Sequence, residues 1–317
     1  SGAWAARHFL DMDYEVLGIG RKLNQLDCFL PFKQSKNNKK ITLLQADINK
    51  DQDLIFSSLE QFQPDFIINF MAQGMVAESW EKPIDWFKTN VMSMVMLLDN
   101  LRKLPSLKKY IHFTTPEVYG STDGWIKETS VFNPSTPYAT SRACFDHHLM
   151  TYFKAYNFPV IFTRASNVFG PGQQLYRIVP RAIMAAMTGN KFQLHGGGVS
   201  VRNFIDIRDV SSGLELLCRS GKLGHTYHIS GNKLVSIKSL VEKIASDNGV
   251  HFNDICIVGE ERLGKDDAYA LTSSLIRDSL GWNEVYENNQ TLSSTYDWMN
   301  DNMNDLKNLA LDYEHRS

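Results

Sequence analysis

Short apolar strands alternating with helical stretches predict an α/β protein built on a doubly wound parallel sheet. Two further observations support that class. The segments Phe66-Ile67-Ile68-Asn69-Phe70, Tyr110-Ile111-His112-Phe113 and Val160-Ile161-Phe162-Thr163 are hydrophobic on both faces, as in sheets covered by helices on each side. Reactive side chains also collect where strands end, the place where open sheets of this kind bind ligands. The expected architecture is a Rossmann-type sheet with a smaller C-terminal substrate-binding α/β region.

In chain order, Ser1-Gly2-Ala3-Trp4-Ala5-Ala6 reads as the second half of a glycine-rich turn running into a helix. Glu15 to Gly20 is a strand ending in Arg21-Lys22, and Ile41 to Ala46 is one ending in Asp47. Helical patterns fall near 50–61, 83–104 and 137–156. A dinucleotide fold needs a central strand before its glycine turn, and none is visible, so residues preceding Ser1 are expected to supply it. The 83–104 pattern is apolar nearly all round through Val91-Met92-Ser93-Met94-Val95-Met96-Leu97-Leu98, which predicts burial on two sides. Beyond 170, Asn203 to Ile207 reads as a strand returning to the first domain. Thr226 to Ile229 is another strand, 235–247 a helix, and Thr291 to Ser317 a polar helix with an exposed end.

A net charge of −2 over 317 residues gives no electrostatic case for nucleic acid or a membrane surface. No apolar run reaches the length of a membrane span, and no signal peptide is visible. Cys28, Cys144, Cys218 and Cys256 are scattered without ligand spacing, as expected for thiols in a reducing, cytoplasmic setting. The nine histidines show no metal spacing, so no metal is expected.

The chemistry converges on one stretch. A strand delivers Thr114, Thr115 and Glu117 to its C-terminal end, and a helix then begins near Tyr138, with Arg142 one turn on. Spacing of four residues places both side chains on one face. A neighbouring cation favours the phenolate that proton removal from a hydroxyl requires. After the second strand, dinucleotide enzymes use an acid for NAD and arginine for NADP. Arg21-Lys22 therefore favours NADP over NAD.

These features occur within a set of longer motifs: Thr114-Thr115-Pro116-Glu117-Val118-Tyr119-Gly120, Pro137-Tyr138-Ala139-Thr140-Ser141-Arg142, Arg164-Ala165-Ser166-Asn167-Val168-Phe169-Gly170-Pro171, Val201-Arg202-Asn203-Phe204-Ile205 and Leu280-Gly281-Trp282. Together they resemble the extended short-chain dehydrogenase/reductase family over essentially the whole chain. The match is to its NAD-dependent epimerase/dehydratase members, nearest the dTDP-glucose 4,6-dehydratase-like nucleotide-sugar dehydratases. The resemblance implies that a bound nicotinamide cofactor oxidises a sugar at C4, that water is eliminated across C5–C6, and that hydride returns to C6. Tyr138 is then the base at the C4 hydroxyl, Thr115 its hydrogen-bonding partner, and Glu117 the C5 base, a carboxylate that simple 4-epimerases of the family usually lack.

The same resemblance implies that Gly2 ends the phosphate-binding turn, that Asp47 and Ile48 meet the adenine, and that Met71, Ala72 and Gln73 line the cofactor. Asn90 is structural. Ser79, Asn167, Arg177, Arg202, Arg262 and Asp266 are expected at the nucleotide-sugar, where cationic forks suit a diphosphate; Asp266 contacts the nucleotide ribose or orders its loop. The implied division is 1–168 with 203–232 for the dinucleotide and 169–202 with 233–317 for the nucleotide-sugar. A homodimer is expected through helices 83–104 and 137–156. Two positions depart from the pattern: Pro116 stands where the relatives place an aspartic acid, and Arg142 where they place lysine. A 4-epimerase, 4-oxidoreductase or decarboxylase on the same scaffold is the competing reading, and a catalytically silent nucleotide-sugar-binding homologue is the third.

Overall fold

The computed structural model describes residues 1–317 apart from Asn24, Arg262, Lys265, Arg316 and Ser317. Its first half runs α1 (Gly2–Asp11), β1 (Val16–Gly20), β2 (Ile41–Gln45), α2 (Gln52–Phe62), β3 (Phe66–Asn69), α3 (Glu78–Glu81), α4 (Pro83–Phe87) and α5 (Ser93–Leu101). Then come β4 (Lys109–Thr114), β5 (Trp125–Ile126), α6 (Pro137–Tyr156), β6 (Val160–Ala165), β7 (Asn167–Phe169), α7 (Ile178–Thr188) and β8 (Phe192–His195). The remainder is β9 (Val201–Asp206), α8 (Ile207–Ser220), β10 (Thr226–Ile229), β11 (Leu234–Ser236), α9 (Ile237–Asp247), α10 (Phe252–Ile255), β12 (Cys256–Gly259), β13 (Ala268–Leu271), α11 (Ser274–Leu280), α12 (Asn288–Asp301) and α13 (Met303–Leu306).

The main sheet is parallel in the order β10-β6-β4-β3, and β1 pairs with β2 as a separate parallel ribbon. No ladder joins β1 to β3 among the described residues. Successive strand residues point to opposite faces, and both faces are apolar. Tyr110, Val160 and Phe162 pack with Ile55, Leu59, Met94, Leu98, Phe145 and Leu149 from α2, α5 and α6. Ile111 and Ile161 pack the other way, with Phe9 of α1 and Val210, Leu214 and Leu217 of α8. Helices therefore cover both sides, as expected of a doubly wound sheet. A third core lies among α7, α9, α10 and α12, around Ile183, Val241, Ile255 and Met299.

The structure alters three expectations. The 83–104 helix runs from Pro83 to Leu101 and contains a π-helical turn (Lys88–Met92) between α4 and α5. This wider turn carries Asn90, whose amide accepts from the Gln73 N–H at 2.8 Å and donates to Gln73 O and Ser141 Oγ at 3.0 Å each. Second, β9 reaches the core of the main sheet through Ile205, as α8 does, but its ladders are with β7, β11 and β13. Third, the tail is not one polar helix. Helix α12 ends at Asp301 and buries Thr291, Leu292, Thr295 and Met299. Leu311 to His315 form neither helix nor strand.

Candidate active site

Thr115 follows β4 and caps a 3₁₀ turn (Pro116–Tyr119), its Oγ1 accepting from the Glu117 N–H at 3.3 Å. Gly120 ends that turn at φ 68°, where an added Cβ would lie 2.2 Å from the Asn133 carbonyl oxygen. Only glycine lets the turn close against this loop. On the facing side, Thr136 caps α6 by accepting from the Ala139 N–H at 3.1 Å, and Pro137 occupies the first helical position. These two caps fix Thr115 and Tyr138 opposite one another.

Tyr138 is buried, and burial raises its phenol above the ordinary value, with the Glu117 charge adding to the rise; Arg142, a hydrogen bond from Thr115, and Arg177 pull the other way. The expected lowering is therefore not the net result, because desolvation of the phenolate outweighs the cations present. Arg142 is buried too. Its Nη2 donates to the Phe113 carbonyl at 2.5 Å, and its buried Nε has no partner. Glu117 is pushed up to about 7, mainly by burial and then by Asp266, against Arg202 and Arg177.

Behind this pair lies a buried polar network. Asp146, one turn beyond Arg142 on α6, accepts from Arg164 Nη2 at 2.6 Å and from Thr114 Oγ1 at 3.2 Å, with His112 Nε2 at 3.3 Å. Burial alone would raise Asp146, but Arg164, His112 and Arg142 hold it below the usual carboxylate range. The Arg164 guanidinium lies over the rings of Tyr119 and Phe132 at 5.1 and 5.0 Å. Tyr119 in turn meets His228 Nε2 at 2.8 Å.

Of the residues expected at the nucleotide-sugar, Asn167 accepts from the Tyr269 hydroxyl at 2.8 Å. Arg202 lies over the Tyr269 ring at 4.3 Å and donates to the carbonyls of Val201, Asp266 and Asp267. Asp266 accepts from Ser135 Oγ at 2.9 Å, an anchor for its own loop. Arg177 is exposed at the start of α7. Ser79 is fully buried, donating to Val76 O at 2.6 Å and accepting from the Tyr138 N–H at 3.3 Å. Arg262 lies outside the described residues.

The chain matches the sequence profile of the GDP-mannose 4,6 dehydratase family over residues 1–295. The chain belongs to that family. Within it, the chain is similar to a dTDP-glucose 4,6-dehydratase of Xanthomonas campestris, 30% identical over 267 residues, with 78% of this chain and 76% of that protein covered. It is also similar to a probable dTDP-glucose 4,6-dehydratase of Sinorhizobium fredii, 28% identical over 318 residues, covering 95% and 90%. Among solved structures, DesIV, a dTDP-glucose 4,6-dehydratase from Streptomyces venezuelae with NAD bound, superposes with a TM-score of 0.87 at 25% identity, covering 96% and 94%. A dTDP-glucose 4,6-dehydratase from Bacillus anthracis in complex with NAD gives 0.81 at 26% identity, covering 94% and 93%. The dehydratase family is thus an extended short-chain dehydrogenase/reductase branch with the Rossmann-type fold described above.

The strand ends fit the dinucleotide that this family implies. Helix α1 has no side-chain cap, so its first amides are open to an anion. A Cβ at Gly2 would meet only Phe70, at an ordinary 3.8 Å; the protein itself gives no steric reason for glycine there, and close approach of a pyrophosphate would. Arg21 and Lys22 are exposed at the end of β1, Asp47 and the buried Ile48 follow β2, and Met71 to Gln73 follow β3. The orphaned Arg142 Nε lies at the same sheet edge, on the Tyr138 helix.

Sequence reasoning missed Asp146, Tyr269 and Tyr313. An arginine ending the apolar strand Val160-Ile161-Phe162-Thr163-Arg164 was a signal for the first, since a buried guanidinium needs an acid. Nothing in the local sequence pointed to the two tyrosines.

Proposed function

We propose that this chain is a nucleotide-sugar 4,6-dehydratase that oxidises a hexose at C4, eliminates water across C5–C6, and returns the abstracted hydride to C6 and a proton to C5, which leaves a 4-keto-6-deoxy sugar. Glu117 carries this reading. It is a carboxylate tuned to about 7 at the strand end beside Tyr138 and Thr115, in the range where a general base works at neutral pH. The relatives named for dTDP-glucose supply the substrate class.

The Tyr138 phenolate accepts the C4 hydroxyl proton while Thr115 hydrogen-bonds the same oxygen. When bound, the oxidised nicotinamide supplies hydride-accepting chemistry at C4, and its positive charge adds to that of Arg142 in favouring the phenolate. Glu117 takes the C5 proton. Pro116 has no proton to give, so protonated Glu117 hands this proton to the C6 hydroxyl, which departs as water. Arg177 and Arg202, with Asn167 and Asp266, border the sugar-diphosphate side, and Ser79 supports Tyr138 from below. Incubation with dTDP-glucose, UDP-glucose and GDP-mannose tests the reading: a 4-keto-6-deoxy product with solvent deuterium at C5 supports it, and an epimeric sugar or NAD(P)H build-up defeats it.

Pro116 is the observation that favours the competing reading, a 4-epimerase or 4-oxidoreductase that stops short of elimination. For the cofactor, Arg21 and Lys22 favour NADP, whereas the two solved relatives carry NAD; comparative binding of the two decides. A homodimer is proposed through α4–α5 and α6, where Ile84, Met92, Met96 and Tyr156 are exposed. Sedimentation of the Met92→Glu/Met96→Glu variant as a monomer would support that interface. No helix among the described residues is long and apolar enough to cross a membrane, and the four cysteines are free thiols, which fits a cytoplasmic setting.

A further inference from the structure

The C-terminal segment after α13 lies against both walls of the crevice. Its residues alternate in exposure: Leu311, Tyr313 and His315 are half-buried, and Asp312 and Glu314 are exposed. Every second side chain is therefore turned towards the protein. On the α7 side, Arg181 donates to the Leu311 carbonyl and to Asp312 Oδ1, the latter at 2.8 Å. Leu311 packs on the C-terminal core.

Tyr313 lies between the walls. Its ring meets Tyr176, just before α7, at 5.4 Å in an edge arrangement. Its hydroxyl lies 3.5 Å from Gln73 Oε1, in the loop after β3. Arg21, Arg177 and Glu78 all act on its phenol electrostatically. The segment then reaches the opposite wall. The His315 ring stacks on Trp86 of α4 at 5.0 Å and 9°, and its Nε2 is 2.7 Å from Asp85 Oδ2. Trp86 is fully buried, so its indole face is part of the wall and not a chance surface contact.

Gln73 and Arg21 are residues assigned above to the dinucleotide, and Arg177 borders the nucleotide-sugar. We propose that residues 311–315 are a strap over the dinucleotide groove, with Tyr313 as its groove-facing contact and His315 as its latch on Asp85 and Trp86. The strap rests on the dinucleotide reading given above. It holds bound cofactor under it, and its release precedes cofactor exchange, in the way that lids set the rate of ligand loss.

The test is the dissociation rate of NADH, followed by its fluorescence, from the full chain, from a chain ending at Ala310 and from His315→Ala. Both variants should release NADH at least about tenfold faster, equivalent to about 1.4 kcal/mol of lost binding if association is unchanged. Bound NADH should also protect the bonds around Tyr313 from proteolysis in the full chain. Unchanged release in a folded truncation, or slower release in either variant, overturns the strap. If the truncation does not fold, His315→Ala decides alone, and an unchanged rate there overturns it equally. A full chain that binds neither NADH nor NADPH defeats the dinucleotide reading itself, and the strap with it.

Discussion

The proposed oxidation half of the site and the proposed elimination half are held by different forces. Tyr138 and Arg142 sit on a capped twenty-residue helix, tied to β4 by the Phe113 carbonyl and by the Asp146–Thr114 contact. Glu117 sits on a four-residue turn, with charges that partly cancel around it: Asp266 raises its pKa, and Arg202 and Arg177 lower it. In the first half, hydrogen bonds fix position. In the second, burial sets reactivity, and the Thr115 cap and Gly120 hold the turn. A rigid base and a tuned base are separate solutions to the same problem of moving a proton at neutral pH.

Removing the rigid base is expected to have the largest effect. Tyr138→Phe should lower kcat by about 10²–10⁴, with C4 oxidation itself lost in single-turnover measurements. Glu117→Gln should approach the same loss in overall turnover but spare C4 oxidation while abolishing deuterium exchange at C5. Retained exchange would break the contrast between the halves.

Next in size is the network behind the helix. Asp146→Ala strips Arg164 of its acid and should cost about 3–5 kcal/mol of stability in denaturant unfolding. Loss of under 1 kcal/mol would show that the aromatic faces of Tyr119 and Phe132 suffice for the guanidinium.

The tuned half carries a pH signature. Because the folded state lifts the Glu117 carboxyl from 4.5 to about 7, it retains a proton that the unfolded chain has released. That stabilisation is complete below about 4.5 and is lost as pH rises through about 7. Glu117→Gln should therefore gain stability over the parent at pH 8, a gain that shrinks towards pH 4.5, as thermal unfolding across that window would show. C5 exchange by the parent should rise with pH through the same region, since the carboxylate is the active form.

The smallest effect is expected at Arg142→Lys. An ammonium keeps the charge that favours the phenolate but gives up the guanidinium geometry that reaches Phe113 O. Turnover should stay within about tenfold of the parent; a larger fall would mean that the Phe113 tether, not the charge, is what the oxidation half needs.

The strand cores of the main sheet were legible because Ile111, Ile161 and their neighbours form apolar runs of strand length. Tyr138, Thr115 and Glu117 were legible because a strand end and a helix start place them in one crevice. The π turn within 83–101 is not legible because it leaves the apolar pattern intact while shifting the backbone. The partners of β9 are not legible because an apolar strand does not say which edge it joins. Arg202 donates to the carbonyls of Asp266 and Asp267 and lies over the Tyr269 ring, contacts that no local pattern announces.

By itself, then, the sequence determined the alternating α/β class and the gathering of Tyr138, Thr115 and Glu117 near one strand end, because hydrophobic period and strand-end placement are local properties. Only the tertiary structure decided how deeply each of them is buried and which distant residues surround it. Burial raises Glu117, Asp266 adds to the rise and Arg202 opposes it, the last two from positions far away in the chain. The tail at 311–315 meets Gln73 and Trp86 across more than two hundred positions. Desolvation and long-range contact are properties of assembled surfaces, and no local window of residues contains them.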